Sequence, residues 1–260
     1  MIKVLTIAGS DSGGGAGIQA DIKTIFTLGA YPLTVISALT AQNSRGVDSI
    51  LKIQPDFVVA QMESVISDMH PHATKTGMLL NVGILKAVVK TVERYGLPLL
   101  VVDPVILSST GKVLLESNAI DILREQLLPL ATFVTPNLHE AEILSGHKVG
   151  NLREMVAAAK QIKEFGPDNV IITGGHLKKK CIDILYNGKE VYRFGGPRIE
   201  SRHTHGSGCV FSAALATFLA MGNNVRKGAE MANSFTRKAI SKGFKAGKGP
   251  GNVQPPIKIG

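Results

Sequence analysis

The sequence predicts an α/β fold, with a mainly parallel central sheet, helices on both faces and an antiparallel hairpin at one edge. Apolar segments of strand length alternate along the chain with segments whose apolar residues recur at helical spacing. This alternation is typical of a parallel sheet covered by helices. After Gly174 the pattern changes, and two short strand-like segments flank Asn187-Gly188, a strong hairpin turn signal.

The first element is an apolar run at residues 2–8, which predicts a buried strand before a glycine-rich turn. Residues 16–28 place Ile18, Ile22 and Ile25 on one helical face, and Gly29 stands where a helix commonly ends. A second helix opens at Pro55, a residue favoured in the first turn. Further strands are predicted at 31–39, 74–76, 98–102, 132–134 and 170–173, and further helices at 82–95, 120–128, 138–145 and 152–165.

The last third of the chain supplies the antiparallel edge and two closing helices. The hairpin strands are predicted at 182–186 and 190–194, a further strand at 198–203, and helices at 208–221 and 225–242. A Gly/Pro-rich loop follows. Because no internal repeat and no long linker divides the sequence, we expect a single domain over residues 1–260.

Composition excludes several classes of protein. With 44% hydrophobic and 19% charged residues, the 260-residue chain is expected to fold as a globule. Its two cysteines cannot form a disulfide scaffold, and no signal-like segment opens the sequence, so we expect a reducing, cytoplasmic location. No run reaches the roughly 18 apolar residues of a membrane helix, so no membrane partner is expected.

Positive charge is concentrated at the end of the chain. The net charge is +9, and residues 226–260 hold eight Lys and Arg side chains against one Glu. Such a region favours an anionic partner. The absence of Trp and the 5% aromatic content argue against nucleic acid, so a nucleotide phosphate is the simpler ligand. A solvated helix face that serves solubility is the alternative.

The first motif is the glycine-rich segment 9–17, directly after the first predicted strand. Glycines let a backbone approach a ligand closely. The segment is not a P-loop, since no Gly-Lys-Ser/Thr follows, and Ile18 stands where G-x-G-x-x-G needs its third glycine. A ligand-binding turn and a plain strand–helix turn both remain open.

The second motif is His-Thr-His-Gly-Ser-Gly-Cys at 203–209, at the start of an apolar helix. Small residues there leave backbone N–H groups free to form an anion hole. The helix N-terminus is expected to lower the pKa of the Cys209 thiol, although an inert buried cysteine is the alternative. We expect Cys181, at the start of a predicted strand, to be structural.

The third motif pairs Asn137 with Glu140, three residues apart on one helical face. The pair could hold Mg²⁺ through water against phosphates, or could be a capping box without further function. Asp21 and Gln42 are lesser candidates that could hydrogen-bond a polar heterocycle, although the helix dipole alone would account for Asp21. The lone histidines, including His70-x-His72, do not indicate a metal site.

Taken together, the motifs resemble the hydroxymethylpyrimidine/phosphomethylpyrimidine kinases of thiamine biosynthesis, in the ribokinase-like superfamily. AGSDSGGGAGIQADIKT, ALTAQNSRGV, TPNLHEAEIL and THGSGCVFSAALA occur in the family's order and spacing, over nearly the whole chain. The resemblance implies ATP-dependent phosphorylation of 4-amino-5-hydroxymethyl-2-methylpyrimidine and then of its monophosphate. It also implies Mg²⁺ as cofactor and commonly a homodimer.

The resemblance assigns roles to particular residues. Gln42 would hydrogen-bond the aminopyrimidine, in a pocket lined by Gly9, Asp21, Met78 and Val105. An anion hole for the transferred phosphoryl group would consist of Gly206, Ser207, Gly208 and Cys209. Cys209 would be the base, where most superfamily members have Asp. The nucleotide and its Mg²⁺ and phosphates would be contacted by Asn137, Glu140 (indirectly, through water), Thr173, Gly247 and Gly249.

Two positions depart from the family pattern. Ser109 and Thr173 stand where the family often has lysine, and Lys112 or the lysines at 178–180 could compensate.

Three other functions are weighed against the pyrimidine kinase. A pyridoxal kinase of the same branch would act on a similar ring, and a weakly catalytic pyrimidine-binding regulatory protein would fit the missing lysines. A hydrolase with Cys209 as nucleophile lacks a recognisable Asp/Asn–His pair.

Overall fold

The fold is built around a single sheet, seen in a computed structural model that describes residues 1–108, 110–175 and 180–256. The described residues contain nine strands in the spatial order β3-β2-β1-β4-β5-β6-β7-β8-β9. Their bounds are β1 Lys3–Asp11, β2 Tyr31–Asn43, β3 Gly46–Lys52, β4 Ala73–Thr76, β5 Leu100–Val102, β6 Phe133–Val134, β7 Asn169–Ile172, β8 Lys180–Tyr186 and β9 Val191–Pro197.

The six central strands run parallel, and both edges are antiparallel. β1 pairs with β2 and β4, with Val4 opposite Pro32 on one side and Ala73 on the other. β3 pairs antiparallel with β2, and β8 and β9 form the hairpin beside β7. Because parallel strands end at the same edge of a sheet, the segments that follow β1, β2, β4, β5, β6 and β7 lie together.

Helices cover both faces of the sheet. Their bounds are α1 Gly17–Thr27, α2 Pro55–Met69, α3 Val82–Tyr95, α4 Ala119–Ile122, α5 Leu138–Ser145, α6 Leu152–Lys163, α7 Ser207–Ala220 and α8 Val225–Ser241. α1, α7 and α8 share one apolar core with the sheet, and α2 to α6 share the other. α7 is apolar almost all round because it is buried between the sheet and its neighbours. No helix within the described ranges is both long and apolar enough to cross a membrane.

The structure differs from the sequence prediction in three places. β3 was not predicted, because this edge strand is half exposed and mixes polar with apolar residues. Residues 198–203 do not form a strand, because the chain leaves the sheet after Pro197 to reach the start of α7. The helix predicted at 120–128 is the short α4 followed by a π-turn, Leu123–Leu127, and a 3₁₀ turn that contains Pro129.

Candidate active site

A cavity of about 690 Å³ lies at the edge where the parallel strands end. Its walls come from the segments after β1, β2, β4, β5, β6 and β7, together with the start of α7. The order of the strands in the sheet therefore gives the cavity two separate ends. The residues at β1, β2 and β4 form one end, those at β6 and β7 form the other, and α7 packs against β1, β4 and β5 between them.

Four of the five residues predicted for the pyrimidine pocket line this cavity: Gly9, Gln42, Met78 and Val105. A Cβ at Gly9 would come 2.9 Å from the Met78 sulfur, so a side chain there would fill the space. Val105 has a φ of 40°, which is strained for a β-branched residue. Such strain is characteristic of functional sites.

Gln42 is held on two sides. Its backbone N–H donates to the Ser12 hydroxyl, which in turn donates to the Gln42 carbonyl, each at 2.8 Å. The side-chain Oε1 lies 3.2 Å from the Thr40 hydroxyl, and Nε2 lies 3.5 Å from Nε2 of His205. The amide is thereby fixed at the wall of the cavity, as recognition of a polar ring requires.

Asp11 organises the first glycine-rich segment. Its carboxylate accepts the backbone N–H groups of Gly13, Gly15 and Ala16 at 2.8–3.0 Å, and Oδ2 lies 3.3 Å from His205 Nε2. Burial raises the pKa of Asp11, but the hydrogen bonds with His205, Gly13 and Ala16 outweigh it and lower the pKa below its ordinary value. The loop is therefore folded around a carboxylate charge.

The start of α7 has the geometry of an anion hole. Gly206 caps the helix with a φ of 84°, and a Cβ there would collide with the Gly15 carbonyl. No side chain caps the helix. The Ser207 N–H donates to the Thr204 carbonyl at 3.1 Å, so an anion would be bound by the N–H groups that follow it, of Gly208 and Cys209. Gly206, Ser207, Gly208 and Cys209 all line the cavity, as the anion-hole hypothesis requires.

The expected lowering of the Cys209 pKa is wrong. Although the residue keeps some solvent exposure, enclosure of its sulfur raises the pKa of the thiol to about 12. Lys75 and the backbone N–H of Gly17, which donates to the sulfur, lower it, whereas Asp21 and Asp103 raise it further. Desolvation and two carboxylates thus outweigh the helix dipole, and the thiol of the ligand-free chain is neutral at pH 7.

Asp21 does not line the cavity, contrary to the resemblance. Its side chain is completely buried, and Oδ2 accepts the Thr6 hydroxyl at 2.5 Å and the Lys75 ammonium at 2.8 Å. Lys75 is the residue of this pair that reaches the cavity wall, where Asp103 also lies. The Ser212 hydroxyl donates to Asp103 at 2.9 Å. Burial raises the pKa of Asp103, and Asp21 adds to this rise.

Asn137 and Glu140 form the capping box weighed as the alternative and also line the cavity. Each donates its backbone N–H to the other's side chain at 3.0 Å, and Ile106 N–H donates to the second Glu140 oxygen at 3.2 Å. Burial raises the pKa of Glu140 to about 8, and nearby Asp103 adds to the effect. The two interpretations of this motif are therefore compatible.

Of the other residues predicted to contact the nucleotide, some line the cavity and others do not. Thr173 lines the cavity. Gly247 and Gly249 do not, because they pack against Ser44, whose hydroxyl accepts the Gly249 N–H at 3.1 Å. Lys112 does not compensate for missing lysines there, since its ammonium donates to the Val47 carbonyl at 2.7 Å. Outside the described residues lie Ser109, Lys178, Lys179 and the Lys180 side chain.

Several site residues were not singled out from the sequence. Lys75 had one signal, a charge inside a short, otherwise uncharged strand. Asp11 and His205 lie inside the motifs recognised in the sequence, but nothing in either motif indicates that the two side chains contact each other. Asp183 accepts Gly174 N–H at 2.8 Å and the Asn233 amide at 2.6 Å at the β7 end. Arg198 and Arg237 supply positive charge to the same end of the cavity.

Several known proteins are similar to this chain in sequence and in fold. The sequence model of the family described as phosphomethylpyrimidine kinase matches residues 11–254. A hydroxymethylpyrimidine/phosphomethylpyrimidine kinase from Streptomyces coelicolor is 43% identical over 250 residues, covering 96% of this chain and 93% of that protein. A thiamine biosynthesis bifunctional protein from Geobacter sulfurreducens is 44% identical, and there the chain spans 51% of the relative's length.

Two solved structures are similar throughout. The ADP complex of Bacillus subtilis pyridoxal kinase superposes with a TM-score of 0.91 at 38% identity, covering 98% of this chain and 97% of that one. The phosphomethylpyrimidine kinase from Clostridium difficile gives 0.82 at 37% identity, covering 92% and 100%. Together with the cavity geometry, these similarities show that the chain is a kinase of ribokinase-like fold and belongs to the phosphomethylpyrimidine kinase family.

Proposed function

We propose that the enzyme transfers the γ-phosphoryl group of ATP to the hydroxymethyl group of 4-amino-5-hydroxymethyl-2-methylpyrimidine, and then phosphorylates the monophosphate to the diphosphate, in thiamine biosynthesis. One observation carries the proposal. A single cavity joins the predicted ring-binding residues to the start of α7 and then to the Asn137–Glu140 pair, in that order along the sheet edge. A phosphoryl acceptor and a nucleotide can therefore meet at the α7 N-terminus.

The transfer needs positioning and charge stabilisation rather than a covalent enzyme intermediate. The hydroxymethyl oxygen attacks the γ-phosphorus, and the bond to the oxygen that bridges the β- and γ-phosphates breaks. The N–H groups at the start of α7 stabilise the charge on the transferred group. Cys209, which lines the cavity beside them, takes the hydroxyl proton as the new bond forms.

Mg²⁺ fits this cavity as an ion carried by the phosphates. Within the described ranges, no group of three or more His, Cys, Asp or Glu side chains is arranged to hold a metal. Both Glu140 oxygens already accept backbone N–H groups, so Glu140 would act through water, with Asn137 beside it. When bound, Mg²⁺ would neutralise phosphate charge and retain several waters.

The test is ADP release from Mg-ATP, measured in parallel with the hydroxymethylpyrimidine, its monophosphate and pyridoxal. Turnover of both pyrimidines supports the proposal. Turnover of the alcohol alone would limit the enzyme to the first step. Absence of turnover with all three, combined with pyrimidine binding, would support the regulatory-protein alternative and make the positions of Ser109 and Thr173 decisive.

Pyridoxal phosphorylation is the second candidate function, favoured by the superposition on a pyridoxal kinase at a TM-score of 0.91. Pyridoxal and the hydroxymethylpyrimidine are both substituted heteroaromatic rings that bear a hydroxymethyl group, so one cavity can suit both. Turnover of pyridoxal without turnover of either pyrimidine would replace the first candidate by the second.

We also propose that the enzyme acts as a homodimer in the cytoplasm, as the resemblance and the low cysteine content suggest. Sedimentation at equilibrium tests the assembly, because a dimer has twice the 27.6 kDa mass of the chain.

A further inference from the structure

A completely buried ammonium group lies at the centre of the site. Lys75, on the four-residue strand β4, stands in register with Thr6 of β1 and Val101 of β5. Its side chain has no solvent exposure, yet it forms part of the cavity wall. A buried charge is costly unless it is paired, and neither the proposed anion hole nor the proposed pyrimidine pocket includes this charge.

The Asp21 carboxylate pairs with Lys75 at 2.8 Å, and both side chains are fully buried. A second carboxylate, Asp103, also raises the pKa of Lys75. Burial alone would lower the pKa of Lys75, but Asp21, Cys209 and Asp103 outweigh it and raise the pKa above its ordinary value. Lys75 is therefore permanently charged at neutral pH.

Packing of α7 against β4 and β5 brings the elements that carry these four groups together, and the Ser212 hydroxyl, one turn after Cys209, donates to Asp103 at 2.9 Å. Asp21 comes from α1, Lys75 from β4, Asp103 follows β5, and Cys209 is in the first turn of α7. Lys75 supplies the positive charge of this set, while both carboxylates oppose ionisation of the thiol. A neutral thiol cannot accept a proton, so the thiolate must be stabilised against two carboxylates before Cys209 can act.

We propose that Lys75 is a positioning residue whose buried ammonium stabilises the Cys209 thiolate that accepts the substrate's hydroxyl proton. In each turnover the proton moves from the hydroxyl oxygen to sulfur as the oxygen–phosphorus bond forms, and the thiol then returns it to solvent. The inference rests on the proposed function for the role of Cys209. The electrostatic coupling of Lys75 to Cys209 can be measured without any phosphoryl transfer.

The test is the rate of Cys209 alkylation by iodoacetamide between pH 7 and pH 10, in a Cys181→Ser background and read by peptide mass spectrometry. Loss of a cation that stabilises the thiolate raises the pKa of the thiol, so Lys75→Met should slow alkylation at least about tenfold at a given pH. Steady-state kinetics should show a similar fall in kcat with KM for the pyrimidine within about twofold.

Two further variants separate charge from structure. Lys75→Met leaves Asp21 buried without its partner and could loosen the fold, whereas Asp21→Asn/Lys75→Met removes both charges. The double variant should still be alkylated more slowly than wild type, because the thiolate loses the Lys75 cation while the Asp103 carboxylate remains nearby. Lys52→Met, in which the exposed Lys52–Glu116 pair is broken, should match wild type.

Wild-type or faster alkylation in Lys75→Met, or wild-type kcat in the double variant, would overturn the proposal in favour of a purely structural ion pair. The failure of the base hypothesis would look different. Cys209→Ala would then keep its kcat, while the alkylation rates would still report whether Lys75 and Cys209 are coupled.

Discussion

Oδ2 of Asp11 lies 3.3 Å from Nε2 of His205, and this contact joins two glycine-rich segments that are far apart in the chain. The same imidazole nitrogen lies 3.5 Å from the Gln42 amide. His205 directly precedes the cap of α7, so the element that would read the pyrimidine and the element that would hold the phosphoryl group meet at one side chain. Asp11 anchors that meeting point through its three backbone hydrogen bonds.

Asp11→Asn should destabilise the protein at pH 7 by about 1–3 kcal/mol, the usual effect of weakening a charged hydrogen-bond network. The pKa of Asp11 is lowered from 3.8, so its stabilisation is present above 3.8 and is lost as the pH falls through the lower folded-state value. The variant should therefore lose less stability on acidification, measured by urea unfolding between pH 3 and pH 7. Asp48→Asn, at an exposed position of β3, is the control, and equal acid sensitivity of wild type and Asp11→Asn would contradict the assignment.

Gln42→Ala should raise KM for the pyrimidine about 3- to 10-fold, because it removes hydrogen bonds of ordinary strength to a neutral ring. KM for ATP should stay unchanged, since Gln42 lies at the β2 end of the cavity. Initial rates over a range of both substrates give the two constants. Asn43→Ala, at the exposed neighbouring position, should behave as wild type, and an unaltered KM for the pyrimidine would remove Gln42 from the ring-binding site.

Cys209→Ala should lower kcat by about 10²–10⁴, the usual contribution of a general base. Pyrimidine affinity should change little, because the methyl group keeps the shape of the wall. Cys181→Ala is the matched control, since Cys181 also lines the cavity but its sulfur lies 3.9 Å from a backbone carbonyl oxygen. If kcat persists in Cys209→Ala, Asp103→Asn identifies whether the nearby carboxylate is the proton acceptor.

Glu140→Gln should flatten the pH dependence of stability in the absence of Mg²⁺. The pKa of Glu140 is raised from 4.5 to about 8, so the folded state favours the neutral acid. Its contribution is fully present below 4.5 and is lost as the pH rises through about 8, whereas a neutral glutamine has no such dependence.

Thermal unfolding in EDTA between pH 5 and pH 9 measures this effect. Glu154→Gln is a matched control, because Glu154 follows Asn151 at the same spacing and accepts the Gly150 N–H at 2.7 Å outside the cavity. A wild-type slope in Glu140→Gln would show that this carboxyl group is not the source of the pH dependence.

Much of the fold follows from local pattern. The strand–helix alternation, the Asn187-Gly188 hairpin and the helix opening at Pro55 were all confirmed. β3 could not be predicted, since an edge strand covered on few sides needs no regular apolar alternation. The prediction of a strand at 198–203 was wrong because this segment lines the cavity instead of joining the sheet, with Arg198, Ile199 and Ser201 in the cavity wall.

The sequence by itself determined the fold class, the family and the motifs, because these depend on periodicity and on residues close together in the chain. The tertiary structure alone decided which pKa values are shifted and which motif residues line the cavity. Asn137-x-x-Glu140 and Asn151-x-x-Glu154 are the same local pattern, yet only Glu140 is buried in the cavity wall near Asp103. The raised pKa of Cys209 likewise results from burial and from Asp21, Lys75 and Asp103. Desolvation and Coulomb interactions depend on distances in space, which spacing along the chain does not fix.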